Sequence, residues 1–253
     1  MSSPFQVRAL MVEFGRRMYL RNYIGDAEGN LSTRLPDGRI MITPSGINKG
    51  YMKPEDMVIC DSSGKKVQGP GKPSSEIKLH LAIYNWRPEI IAICHAHPPY
   101  ATGYSTARIP LMRPILPEVV GTIGGVPLAP YGAPGSSDLP ETLAGLIDRY
   151  DVFLLEAHGV LALGRSLEEA FNRIETSERY ANILFVAEQL GPVKDLPANE
   201  IERLLKAAGR LNIKDDLLRF GLNSTATSSV DSRRSETAGD AGAQKKSGPA
   251  GYR

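Results

Sequence analysis

Residues 90–98 read Ile-Ile-Ala-Ile-Cys-His-Ala-His-Pro, an apolar run that ends in two histidines and is followed by a second proline. A run of this length and composition is a buried β-strand. Strands alternate their faces, so His95 and His97 project the same way and Cys94 the other. Pro98 and Pro99 lack the backbone N–H that a ladder needs and stop the strand just beyond them. The chain has four histidines, His80, His95, His97 and His158, and two of them sit here. Two imidazoles on one face invite a metal, but an H-x-H pair alone is as readily polar packing as a ligand pair.

Apolar residues make up 42% of the 253 residues and charged residues 23%, which describes an ordinary globular chain with enough length for a substantial core. The formal charge of +2 is spread along the sequence without a basic cluster, so no nucleic-acid partner is expected. Cys60 and Cys94 both lie in apolar strand-like contexts and read as reduced, buried thiols, which places the protein in the cytoplasm. No uncharged stretch approaches a membrane span, and no export signal or membrane partner is expected.

Taken in order, Val7, Leu10, Met11, Phe14 and Met18 recur at helical spacing after Ser3-Pro4, predicting a helix to about Arg21. Residues 25–32 read as a loop, and residues 35–43 as a hairpin turning at Pro36-Asp37-Gly38. A second hairpin turns at Ser62-Ser63-Gly64, and a helix follows Ser74-Ser75-Glu76 to about Trp86. Residues 98–135, dense in proline and glycine, predict short strands and a long functional loop, with an edge strand at best near Val126. Asp138 caps the next predicted helix. Residues 152–164 read as one long buried strand interrupted by Glu156-Ala157-His158-Gly159, and Ser166-x-x-Glu169 is a capping box opening a helix to about Leu190. A shorter helix spans 201–211. The expected organisation is a catalytic domain over 1–220 and a disordered Ser/Gly/Ala-rich tail over 221–253.

His158 supplies a third strand-borne imidazole, and Gly159 beside it lets another group approach closely. Three neutral imidazoles with an open position make a catalytic zinc site, whereas structural zinc is closed by four ligands, mostly thiolates. Glu76 is the natural carboxylate partner, placed at a helix start where free N–H groups and serine hydroxyls form an anion pocket. Gly29-Asn30-Leu31-Ser32 and Thr43-Pro44-Ser45-Gly46 add two further glycine and hydroxyl segments. Together these can bind a phosphate without an arginine cluster.

These pieces resemble the zinc-dependent class II aldolase and adducin-head family, in particular its fuculose-1-phosphate aldolase branch. The matching segments are the two just named with Ser74-Ser75-Glu76, His95-Ala96-His97-Pro98, Leu116-Pro117-Glu118, Ala129-Pro130-Tyr131 and His158-Gly159, in the family's order over about residues 5–215. The resemblance implies an α/β fold: a three-layer αβα single domain with a central, mainly antiparallel β-sheet flanked by helices. It also implies a homotetramer with active sites between subunits. By the same carry-over, His95, His97 and His158 would bind Zn2+, or another divalent ion such as Mn2+ or Co2+. Glu76 would be the catalytic acid/base, and Asn30, Ser45, Gly46, Ser74 and Ser75 would hold the phosphate of a small sugar-phosphate substrate.

The expected reaction is reversible cleavage of a (deoxy)ketose 1-phosphate, such as fuculose 1-phosphate or 5-deoxypentulose 1-phosphate, into dihydroxyacetone phosphate and an aldehyde. Glutamate rather than aspartate at position 76 favours it over a pentulose-phosphate 4-epimerase. The alternatives are that epimerase, a methylthio-ketose-phosphate dehydratase or a keto-acid-phosphate decarboxylase on the same fold, and beyond these a non-enzymatic adducin-like module. One departure stands out. The fuculose-type aldolase has a catalytic tyrosine in the loop after the H-x-H strand, near where this chain has Arg113-Pro114. Tyr100, Tyr104, Tyr131 and Glu118 are the nearby candidates for a second proton carrier.

Overall fold

The computed structural model describes residues 4–223. Eight strands form one sheet: β1 (Asn30–Arg34), β2 (Ile40–Ile42), β3 (Val58–Cys60), β4 (Lys66–Gln68), β5 (Ala92–Ala96), β6 (Leu128–Ala129), β7 (Val152–Leu155) and β8 (Gly159–Gly164). Their order is β4-β3-β2-β1-β5-β8-β7-β6, and every pairing is antiparallel except that of β6 with β7. The helices are α1 (Pro4–Leu20), α2 (Ile77–Trp86), α3 (Pro99–Thr106), α4 (Pro117–Thr122), α5 (Leu167–Leu190), α6 (Ala198–Ala207) and α7 (Lys214–Asn223).

Alternation along the strands sorts the core into two layers. Ala92, Cys94 and Ala96 of β5 face α1 and α5, where Met11, Phe14, Met18, Phe171 and Ile174 are buried. Ile93 faces the opposite way, into a core with Leu79 and Ile83 of α2, Leu161 and Leu163 of β8, and Ile201 and Leu217 of α6 and α7. The expected α/β layering around a mainly antiparallel sheet is what the chain forms. Both cysteines are free and buried, and no helix among the described residues is long and apolar enough to cross a membrane.

Several local expectations are corrected. Residues 25–32 are not wholly loop, because Asn30, Leu31 and Ser32 belong to β1, whose polar side chains are tolerated by pairing on both edges with β2 and β5. The 98–135 stretch contains α3 and α4, each carrying a proline in its first turn, where no N–H is missed. Residues 152–164 are two strands rather than one. Glu156, Ala157 and His158 form the turn between β7 and β8, with Leu155 paired to Gly159 and Ala157 in the left-handed region at φ 52°. In place of the helix expected with Asp138 as its cap, the chain makes a short 3-10 turn, Pro140–Leu143, with no side-chain cap; the Ser136 hydroxyl accepts from the Asp138 and Leu139 N–H groups just before it. Ser166 does cap α5, accepting from the Glu169 N–H at 3.0 Å. Helix α7 runs to Asn223, and the tail expected beyond it lies outside the described residues.

Candidate metal centre and active site

Three elements bring the imidazoles together. β5 carries His95 at its last turn of pleat and His97 just past its end, and β8 lies beside β5 with Ala96 opposite Val160. The three-residue turn before β8 therefore delivers His158 to the same rim. The Nε2 atoms of His95 and His158 are 3.1 Å apart, as are those of His95 and His97. Gly159 permits this approach: a Cβ there would stand 2.5 Å from both the Ala96 carbonyl oxygen and Cδ2 of His97.

These residues fit a divalent metal. His95 Nδ1 lies 2.9 Å from the Val160 carbonyl oxygen, which only accepts, so Nδ1 carries the proton and Nε2 presents a bare lone pair toward its neighbours. The Nε2 atoms of His97 and His158 each lie 3.1 Å from that bare nitrogen, a cluster of ring nitrogens able to ligate one cation. The separation is close to the edge of roughly 3.3 Å that tetrahedral nitrogen ligands at ~2.0–2.1 Å from zinc would have. One ligand atom from each of His95, His97 and His158 lies within 4.8 Å of the others. Burial also lowers the basicity of these rings: His95 is pulled down to about 3, mainly by desolvation, and His97 is lowered by the same cause. Neutral imidazole is the ligating form.

Glu76 closes the centre from the sheet face that carries Asn30 and His95. It is the residue immediately before α2, buried, with Oε1 3.2 Å from His158 Nε2 and Oε2 3.6 Å from His95 Nε2. Asn30, paired opposite His95 across β1 and β5, donates from Nδ2 to Glu76 Oε2 at 3.3 Å. Burial pushes the Glu76 carboxyl up, against the pull that the His95 and His158 rings exert only when protonated.

A cavity of about 300 Å³ opens beside these groups, lined by Asn30, Ser45, Ser74, Ser75, Glu76, His97 and His158 among others. The segments meet because residues 43–45 and 72–74 run side by side: Ser45 N–H donates to the Lys72 carbonyl and Ser74 N–H to the Thr43 carbonyl. Gly46 lies just outside the lining and turns the chain at φ 73°. The candidate second proton carriers are elsewhere. Arg113 is tied to Asp195 at 2.9 Å, Tyr104 donates to Glu188 at 2.8 Å, and among the described residues no tyrosine lines the cavity. Glu118 sits exposed in the first turn of α4.

Two groups were missed by sequence reasoning. Lys49 lines the cavity although it is only 2% exposed. The second is His80, one turn past Glu76 and fully buried. Tyr84 donates to the Ile91 carbonyl, so the Ser32 hydroxyl donates to Tyr84 at 2.7 Å and His80 Nδ1–H to Ser32 at 2.6 Å, leaving His80 Nε2 bare and without a partner. Burial holds this ring near 4 against the pull of Glu76. The unfolded ring titrates near its ordinary ~6.5. The unfolded chain therefore takes up a proton first as pH falls, and stability present above ~6.5 is lost progressively toward ~4, about 3 kcal/mol in all. Melting temperature measured from pH 7 to 4 should fall, and His80→Gln should remove that share of the slope.

Residues 9–185 match the family model described as Class II Aldolase and Adducin N-terminal domain. The chain belongs to this family. A 3-oxo-tetronate 4-phosphate decarboxylase of Pectobacterium atrosepticum is 37% identical over 81% of this chain and 94% of its own. A 5-deoxy-D-ribulose 1-phosphate aldolase of Bacillus thuringiensis is 34% identical over 79% of this chain and 93% of its own. Among solved structures, the protein YgbL of Klebsiella pneumoniae, described as an aldolase, epimerase or decarboxylase, superposes with a TM-score of 0.76 at 36% identity, covering 81% of this chain and 100% of its own. The family thus includes members named for either reaction, on the fold seen here.

Proposed function

We propose that this protein is a zinc-dependent lyase that decarboxylates a 3-oxo sugar-acid phosphate, with 3-oxo-tetronate 4-phosphate as the model substrate. The observation that carries the reading is a buried carboxylate, Glu76, against the Nε2 ends of His95 and His158 in a cluster of three imidazoles, with the more exposed Glu28 beside His97, at a cavity that three serines line. Kinship to 3-oxo-tetronate 4-phosphate decarboxylases along nearly their whole length supports the choice of reaction.

The chemistry of the two family reactions differs in one proton. In a 3-oxo-tetronate 4-phosphate, breaking C1–C2 releases CO2 and leaves the bonding pair on C2, next to the C3 ketone. In a ketose 1-phosphate, breaking C3–C4 releases an aldehyde and leaves the pair on C3, next to the C2 ketone. Both leave the same three-carbon fragment, which becomes dihydroxyacetone phosphate once that carbon gains a proton. The aldol cleavage alone also requires a group to take the C4 hydroxyl proton. One acid/base group therefore suffices for decarboxylation, and Glu76 is that group: it hands a proton from solvent to C2. A divalent ion held by His95, His97 and His158 supplies Lewis acidity that stabilises charge on the ketone oxygen. Asn30 orients the Glu76 carboxylate, and the Ser45, Ser74 and Ser75 hydroxyls, with the turn at Gly46, receive the phosphate.

Aldol cleavage is the second reading, supported by the likeness to the 5-deoxy-D-ribulose 1-phosphate aldolase. Because dihydroxyacetone phosphate arises either way, the leaving group must be measured. Metal-loaded enzyme should release CO2 from 3-oxo-tetronate 4-phosphate with a higher kcat/KM than it releases aldehyde from any ketose 1-phosphate, and chelation should abolish turnover. Aldehyde release with no CO2 would assign the aldolase instead. A homotetramer is the assembly the family resemblance implies, and light scattering on the purified protein tests it.

A further inference from the structure

We propose that Lys49 supplies the fixed positive charge that seats the substrate's phosphate in the cavity beside Glu76. This rests on the cavity being a sugar-phosphate site. It adds to the serine and glycine segments a residue that neither composition nor motif singled out.

Lys49 opens a short 3-10 turn, Lys49–Tyr51, four residues after Ser45 in the loop that carries that serine to the cavity. The Asn48 side chain caps the turn and ties it to the loop before β1: its Oδ1 accepts from the Gly50 N–H at 2.8 Å, and its Nδ2 donates to the Gly25 carbonyl at 3.2 Å. Helix α1 closes over the outside. A Cβ on Gly15 would lie 2.8 Å from the Lys49 carbonyl oxygen and 3.2 Å from Lys49 Cβ, so the lysine stem has no route outward and its head is directed inward. The residue is only 2% exposed, and its ammonium donates to the Ala27 carbonyl at 2.7 Å. Among the described residues it forms no ion pair.

An ammonium has three N–H donors, and a buried charge without a counter-ion is costly. One carbonyl satisfies a third of that donor capacity and none of the charge. Lys49 shares the cavity with the uncharged hydroxyls of Ser45, Ser74 and Ser75 and with the carboxylates of Glu28 and Glu76, neither of which forms an ion pair with it. Glu76 and Asp26 attract the cation from a distance, yet burial prevails and lowers the group to about 8, so it is charged at neutral pH but poorly compensated. A phosphate entering among these hydroxyls supplies both the missing acceptors and the missing charge. The charge-assisted hydrogen bonds it would form are stronger than neutral ones because the site excludes water.

The test uses metal-loaded protein, with inorganic phosphate as probe, in Lys49→Met and wild type. Methionine keeps the length and apolar character of the stem while removing charge and donors. Calorimetric titration should show phosphate binding about tenfold or more weaker in Lys49→Met, the loss expected for charge-assisted bonds. Metal content should be unchanged, and the melting temperature without phosphate should match or exceed wild type, because a poorly compensated buried charge has been removed. In turnover, KM should rise by a similar factor with kcat little altered. Phosphate affinity within twofold of wild type, or no phosphate binding by wild type at all, overturns the proposal. A lower melting temperature with unaltered phosphate affinity also overturns it, leaving Lys49 a packing residue. A parallel titration with malonate guards against a different anion: loss of malonate affinity with phosphate affinity retained would assign Lys49 to a substrate carboxylate. None of these readouts depends on whether CO2 or an aldehyde leaves, so they stand or fall separately from the reaction assigned above.

Discussion

Replacing Glu76 with glutamine should lower kcat by about 10²–10⁴, the usual worth of a positioned proton carrier, while the protein still binds its divalent ion. Glutamine has the same length, and its amide oxygen can still accept from Asn30 Nδ2, which holds Glu76 Oε2 at 3.3 Å. The His95 Nδ1 contact to the Val160 carbonyl, 2.9 Å, does not involve Glu76, so that ligand keeps its tautomer and orientation. What is lost is the capacity to carry a proton to the carbon from which the leaving group departs. Metal analysis beside steady-state kinetics separates the two effects. Turnover within a few fold of wild type would remove Glu76 from the mechanism, and a collapse of metal content would make its role structural.

The second large effect is expected at Gly159. An added methyl would sit 2.5 Å from the Ala96 carbonyl oxygen and from the His97 ring and 3.3 Å from Cε1 of His95, so Gly159→Ala forces backbone and two imidazoles apart. Overpacking of this kind costs about 1–3 kcal/mol. Because two ligand rings take the displacement, metal affinity should fall by about 10–100-fold, the range seen when groups that orient ligands are disturbed. Thermal melting with and without added metal, together with a metal titration, reads both. Wild-type metal affinity in Gly159→Ala would show that the close approach does not govern the ligand geometry.

Much of this centre was legible in residue order because strand periodicity is a local property. Alternation alone put His95 and His97 on one face and Cys94 on the other, and Cys94 does turn to the α1 side, its Sγ 3.8 Å from Met18 Sδ. The capping serine of α5 and the turns at Asp37-Gly38 and Ser63-Gly64 were legible for the same reason. Other elements were hidden by competing signals. The prolines of residues 98–135 resemble breakers until it is known that they occupy first turns of helices, and the β7–β8 turn bends at Ala157, a residue type that carries no turn signal. Ser32 looked like a loop hydroxyl, but inside β1 it links His80 to Tyr84.

The sequence by itself determined which side chains are available and which face of its own element each occupies: three imidazoles, a carboxylate at a helix start, and hydroxyl segments ordered as in a known family. Only the tertiary structure decided that they meet. His158 is 63 residues from His95 and reaches it because β8 pairs with β5. Ser45 and Ser74 share a cavity because two loops exchange backbone hydrogen bonds, and Lys49 turns inward because α1 seals its outer side. The physical reason is that residue spacing encodes direction within one helix or strand, whereas distances between elements are set by sheet register and by the packing of layers on either side.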